Sequence, residues 1–377
     1  MLEIVDLFRE KGTVDDLGFG VIRDALSDTL FPGVSVLHTR PRYLLFVGWI
    51  YAGLLQEGVS GDKAIAKGRD LELGLSDSLL TAGEDQGVIG RVAGRRLKRL
   101  PSGAYWAAIR TYGLLTCNLS LENYCRSIPL LRRSEPTSDD GASSERSIWR
   151  LPPALGDFPK GEFTLALTTK EAHFLYERVM SAAGRSYLGW LLNQPLDEFA
   201  EHAWTHTSVD RAPDVIREAL LIAEHYSLSQ HGPALLYNLL VAKTAQRYEL
   251  VDDYRTRLSD WAIEMNMLYP QMPYPIETLW RIAETAGARL SPTTRAFITW
   301  AITMTPDARN TLAEDASASQ RVAAREQHLK GPLARLRGGR SLDSWSGASG
   351  IGLLDYRWSS VTPMVRDIVS AREGSHA

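Results

Sequence analysis

The sequence lacks most of the features that announce a function. It has two cysteines, Cys117 and Cys125, and their spacing fits neither a CxxC redox pair nor a zinc knuckle. It has no apolar run of the roughly 20 residues that a membrane-crossing helix needs; the uncharged run Tyr43–Leu55 stops at thirteen. It has no basic excess: 42 Lys and Arg stand against 45 Asp and Glu, a formal net charge of -3. Any attraction for nucleic acid must therefore be local. There is no GxxxxGK[ST] and no GxSxG, so neither a P-loop nor a nucleophile elbow is present. "GFG" at Gly18–Gly20 follows no strand pattern and is not a dinucleotide fingerprint. The start, "MLEIVDLFREKG", mixes acids with apolar residues and lacks a basic n-region, so it does not read as a signal peptide. Cys117, in "GLLTCNLSL", reads as a buried reduced thiol, which suits the cytoplasm. "NLS" at Asn118 carries no weight in that setting. The expectation is a cytoplasmic protein with no membrane partner and no cofactor.

What is present is helical periodicity. With 44% hydrophobic and 23% charged residues, the 377-residue chain can bury a sizeable core. Thr13 can cap a helix, with Leu17, Val21 and Ala25 recurring at i, i+4 and Phe31-Pro32-Gly33 ending it. Tyr43–Leu55 is too short to span a bilayer and reads as a helix buried on all sides, with Pro41 in its first turn. "DKAIAKGRDLELGLSDSLL" continues the helical spacing. Gln86–Leu100 reads as another helix, stopped by Pro101, with Ser102 capping the next, a helix-turn-helix-like arrangement. Thr168 or Thr169 begins a helix with Glu171 in its first turn. More follow near 211–230, 233–247, 249–268, 275–287, 292–304 and 306–330, and a last one in "TPMVRDIVSAREG". The best strand candidate, "EFTLAL", is short. The fold class is mainly α. Residues 132–147, "RRSEPTSDDGASSERS", hold no large apolar residue and read as a mobile linker. It divides an N-terminal helical domain, 1–131, from a C-terminal one, 148–377.

One local anomaly points toward chemistry. Between Asp85 and Glu122 there is no acid, but there are Arg91, Arg95, Arg96, Lys98, Arg99 and Arg110. On a helix, Arg91, Arg95 and Lys98 share a face, with Arg99 beside them and Ile89, Val92, Leu97 and Leu100 opposite. Tyr105, Trp106 and Tyr112 follow on the next helix. A basic helix-turn-helix suits DNA phosphates; the bland alternative is a solvated face. A second basic cluster holds Arg321, Arg325, Lys330, Arg335, Arg337 and Arg340, and "RLRGGR" could track a phosphate backbone as a loop. Its alternative is a helix C-terminus suited to cations, followed by a surface loop. "EFAEHAWTHT" places Glu198, His202 and His206 at i, i+4, but the HExxH pattern is absent and no metal site is expected. Asp24 and Asp28, also i, i+4, form a carboxylate pair of the kind that holds magnesium in nucleases, or an ordinary solvated face.

Three phrases resemble an uncharacterised bacterial family known only as a domain of unknown function. They are "GTVDDLGFGVIRDALSDTLFPGVSVLHTRPRYLLFVGWIY", "GVIGRVAGRRLKRLPSGAYWAAIRTYGL" and "SLDSWSGASGIGLLDYRWSSV". Members of that family tend to be encoded beside superfamily-2 helicases and phospholipase-D-like nucleases in phage-defence islands. The resemblance implies an antiviral role and supplies no catalytic residues. The expectation that follows is a non-catalytic subunit of a defence complex. It contacts DNA through Arg91, Arg95, Lys98 and Arg99, and docks a helicase or nuclease through its C-terminal helical region. The rival readings are a metal-dependent nuclease using Asp24 and Asp28, and a scaffold without nucleic-acid contact.

Overall fold

A computed structural model of the chain describes residues 15–134, 147–154, 156, 158, 161–270 and 274–374. Among them are fifteen α-helices and no strand. In chain order the helices are α1 (Gly20–Leu30), α2 (Tyr43–Glu57), α3 (Gly61–Thr81), α4 (Pro101–Thr111), α5 (Leu121–Ser134), α6 (Thr169–Ala183), α7 (Tyr187–Leu191), α8 (Asp214–Thr244), α9 (Tyr248–Leu268), α10 (Ile276–Thr285), α11 (Pro292–Ile302), α12 (Pro306–Asn310), α13 (Ala316–Lys330), α14 (Arg340–Asp343) and α15 (Trp358–Arg372). A single antiparallel bridge joins Leu115 and Trp149. The "EFTLAL" stretch forms no strand; the Leu165 N–H donates instead to the Glu84 carboxylate at 2.7 Å. Thr13 lies outside the described residues. Asp15 does the capping work at the start of α1, accepting from the N–H groups of Phe19 and Gly20 at 2.7 and 2.9 Å.

The chain divides into two compact units. One gathers Met1–Thr29, His202–Thr205 and Pro213–Tyr356; the other gathers Leu30–Glu201, His206–Ala212 and Arg357–Ala377. In the second unit, α2 packs against α3 and α4, α3 against α5, and α6 against α15. The all-round apolar character of α2 has the cause its sequence suggests: eleven of its residues are buried, among them Phe46 and Tyr43 with no exposed surface. Tyr51, Trp106, Tyr124 and Trp149 meet edge-on with ring centroids 5.3–5.9 Å apart. Thr168 and Glu171 form a reciprocal capping box at α6, and Glu171 also pairs with Arg42 at 2.9 Å, both groups buried.

These contacts run across the boundary expected at 132–147. Trp149 Nε1 donates to Tyr124 Oη at 2.7 Å, and Trp49 Nε1 to Pro152 O at 2.8 Å. Residues on both sides of that stretch thus share one core, and the unit boundaries fall elsewhere. Residues 132–134 complete α5, and 135–146 lie outside the described residues. Cys125 is buried, whereas Cys117 is half-buried and so differs from the expectation of a core thiol.

The first unit is built on α8, which carries α9, α11 and α13 against it. Two helices were expected on either side of Pro233; one helix of 31 residues runs through it. Gly232 explains the close approach there. A Cβ at that position would sit 2.3 Å from the Trp261 ring, and Trp261 Nε1 donates to Leu228 O at 2.7 Å. The interhelical bond and the burial of twenty α8 residues outweigh the N–H that Pro233 removes. Conversely, the expected helix 306–330 is broken at Thr311–Asp315, where the Asp315 carboxylate caps α13 by accepting from Ser317 N and Ala318 N.

Two tests follow from the core. Phe46→Ala removes a fully buried ring and should destabilise the protein by about 3–5 kcal/mol in urea unfolding; a loss below about 1 kcal/mol would show that α2 is not the core helix. Burial holds the pKa of His38, His225 and His231 down to about 4, well below the unfolded value near 6.5. Their stabilisation is complete above the unfolded pKa and is lost as pH falls toward the folded one. Stability should therefore drop between about pH 6.5 and 4, by about 1.4 kcal/mol per pH unit for each histidine. A flat unfolding free energy over that range would contradict the buried, neutral state of these rings.

Candidate nucleic-acid interface

The segment 86–100 is not a helix. Gly87, Gly90 and Gly94 take φ of 81°, 94° and 50°, outside the helical well near -63°. Only Gly94–Arg96 forms one 3₁₀ turn. The two earlier glycines are needed where they stand, because a Cβ on Gly87 would meet Arg40 at 2.8 Å and one on Gly90 would meet Leu97 at 3.0 Å. The expected helical face of Arg91, Arg95 and Lys98, and with it the helix-turn-helix reading, gives way to a loop. Pro101 then opens α4 as its first residue instead of closing a preceding helix.

The loop is nevertheless held in place by the helices beneath it. Thr39 Oγ1 donates to Gly87 O at 2.7 Å, and Tyr43 Oη accepts from Ile89 N at 3.0 Å. Ser76 Oγ donates to Ile89 O at 2.9 Å, and Arg69 Nη2 donates to the carbonyls of Arg95 and Leu97 at 3.2 and 3.1 Å. These anchors come from outside the basic segment, and no motif in it points to them. With the backbone tied down, Arg91, Arg95, Arg96, Lys98 and Arg99 are all exposed. Arg95 lies 3.8 Å from Asp77, both side chains more than half exposed, so that pair contributes little. Arg110 stands apart on the last turn of α4, donating to Asn118 Oδ1 at 2.8 Å. Tyr105, Trp106 and Tyr112, expected beside the cations, are 1%, 6% and 2% exposed and belong to the core. Tyr105 Oη accepts from Thr39 N and Arg40 N and donates to Arg40 O at 2.9 Å. Its ring stacks on His38 at 4.1 Å.

The second basic cluster, in the other unit, is largely turned inward. Arg335 Nη1 donates to Asp16 at 3.0 Å, to Tyr237 Oη at 3.0 Å and to Ser349 Oγ at 3.2 Å. Lys330 and Ser349 also donate to Asp16. Glu326, with no exposed surface, accepts from Tyr237 Oη at 2.6 Å and from the N–H groups of Arg335 and Leu336. Arg325 is buried and donates to Leu17 O at 2.8 Å. Arg337 and Arg340 remain exposed, so Arg335 no longer belongs with them as a phosphate contact. Beside the network, Asp15, Asp16, Gln230, Tyr237 and Ser349 border a small recess. The Gln230 Nε2 has no partner there among the described residues, a natural place for a bound water.

The remaining candidates are dispersed. Asp24 and Asp28 lie on α1, both exposed, and Asp24 pairs with Arg23 at 2.9 Å. His202 and His206 share no helix, because a single 3₁₀ turn, Ala203–Thr205, separates them. His202 stacks on Trp204 at 4.5 Å, while His206 Nδ1 meets Ser208 Oγ at 2.8 Å. Among the described residues no three His, Cys, Asp or Glu side chains are grouped to hold a metal ion, and no helix is long and apolar enough to cross a membrane.

A protein-family model matches residues 2–371, nearly the whole chain, and the chain belongs to that family, described as "Family of unknown function (DUF6361)". No curated protein and no solved structure matches it.

Asp16→Asn tests the inward cluster. It leaves Arg335 facing a neutral amide and Lys330 with Glu326 alone, and should cost about 1–3 kcal/mol of stability by chemical denaturation, as when one partner of a partly buried hydrogen-bonded pair is removed. A variant as stable as the wild type would mean that both cations are solvated.

Proposed function

We propose that this DUF6361 protein is a non-catalytic subunit of an antiviral defence complex that contacts DNA, with a helicase or phospholipase-D-like nuclease as its partner. The defence setting and the partner rest on the resemblance of its sequence phrases, and the C-terminal helical region is the part assigned to docking. The DNA contact rests on one observation: five cations between Arg91 and Arg99 stand exposed on a loop whose backbone is bonded to α2 and α3. Clustered like charges raise the local potential, and a polyanion relieves their repulsion. Phosphates suit this loop better than base edges do, since phosphate contacts position a protein without reading sequence.

If Arg91, Arg95, Lys98 and Arg99 each meet a phosphate, log K for a duplex should fall with log salt at a slope near -3.6, from about -0.9 per contact. Replacing Arg91 and Arg95 by Ala should bring the slope to about -1.8, equally for unrelated sequences. The melting temperature should not change, because both side chains are exposed. A salt titration of wild type and variant decides it: an unchanged slope, or no duplex binding by either protein, removes this loop from any DNA contact.

A further inference from the structure

We infer that the loop takes duplex DNA from its minor-groove side, an inference that rests on the DNA-binding reading above. The major groove, about 12 Å wide, has room for an inserted helix or β-ribbon. Neither is offered here, because Gly87, Gly90 and Gly94 turn the segment away from helix and its backbone is bonded down to Tyr43, Ser76 and Arg69. What stands clear of the fold is a set of side chains. Four of the five cations are arginines, whose guanidinium enters the narrow groove, about 6 Å wide, where the negative potential is enhanced. Between Arg91 and Arg95 stands Val92, 59% exposed, followed by Ala93 and Gly94. Proteins that bind this groove combine arginines with apolar side chains.

A single strand is the less suitable ligand for the same surface. Proteins that hold single strands combine a basic groove with aromatic side chains on which bases stack. The aromatic residues next to this loop in sequence, Tyr105, Trp106 and Tyr112, are buried. The other phenylalanine, tyrosine and tryptophan side chains described in this unit are buried or half-buried, and no contact of the loop with any half-buried one is seen among the described residues. The loop therefore supplies charge and a narrow apolar point, without a stacking platform.

The test uses the full-length protein, a fluorescent duplex and the corresponding single strand at matched salt. Netropsin serves as a minor-groove competitor and methyl green as a major-groove competitor. The expected result is tighter binding of the duplex than of the strand, and loss of duplex binding with netropsin but not with methyl green. The weaker duplex binding that the Arg91→Ala/Arg95→Ala variant retains should no longer be displaced by netropsin. Displacement by methyl green alone, or a single strand bound as tightly as the duplex, would overturn the minor-groove assignment while leaving DNA binding by the loop intact. Absence of binding to either form would overturn the DNA-binding reading and this inference with it.

Discussion

Glu72 on α3 has no exposed surface, and burial pushes its carboxyl pKa upward. A carboxyl group in that position is stable only if donors replace the water it has lost. Tyr51 Oη supplies one at 2.9 Å and the Ser102 N–H another at 2.6 Å. Those two bonds join α2, α3 and the first turn of α4, and so fix where the segment between α3 and α4 must return. Its other end is fixed by Thr39, Tyr43 and Ser76. The segment 86–100 is thereby held over α3 between two sets of anchors. The basic loop is a consequence of satisfying polar groups in the core beneath it.

The legible part of this molecule was the part governed by apolar periodicity and capping. The buried character of α2, the start of α6 at Thr168 or Thr169 with Glu171 in its first turn, and the starts of α11 and α12 all follow from local rules, because burial and end-capping leave a repeating mark on sequence. The segment 86–100 carries a helical pattern of charges too, but its glycines at 87, 90 and 94 occupy conformations that no wheel projection anticipates. The polar residues that hold it, at positions 39, 43, 69 and 76, look ordinary in their own helices and loops. Pro233 misled in the opposite direction: a residue that breaks isolated helices was overridden by packing against Trp261. A polar run such as 132–147 shows where the chain lacks apolar groups; it does not show which flanking segments share a core. That depends on Trp149 meeting Tyr124.

The two basic clusters use the same residue types in opposite ways. Near Arg335, carboxylates, hydroxyls and main-chain groups converge on the cations, and Asp16 and Glu326 match the charges of Lys330 and Arg335. Such a network holds residues 15–17 against α8 and α13 and ties up Lys330 and Arg335, while Arg321, Arg337 and Arg340 stay exposed. Around Arg91–Arg99 the ion pair seen among the described residues is Arg95 with Asp77, 3.8 Å apart and exposed. Composition treats the clusters alike. What separates them is whether acids from elsewhere in the same unit reach them.

That difference bears on what a bound polyanion gains. An unstructured basic segment must be ordered on binding, at about 1–2 kcal/mol per residue of backbone. Here folding has already fixed the backbone, through bonds to Tyr43, Ser76 and Arg69 that involve none of the exposed cationic side chains. Only the long side chains remain to be ordered. Binding energy can then go into phosphate contacts instead of loop folding. The same separation keeps the cations dispensable to the fold: the groups that shape the loop are neutral or point at main-chain carbonyls, and the groups that would meet DNA carry no packing. A surface so divided can lose its charges without losing its shape.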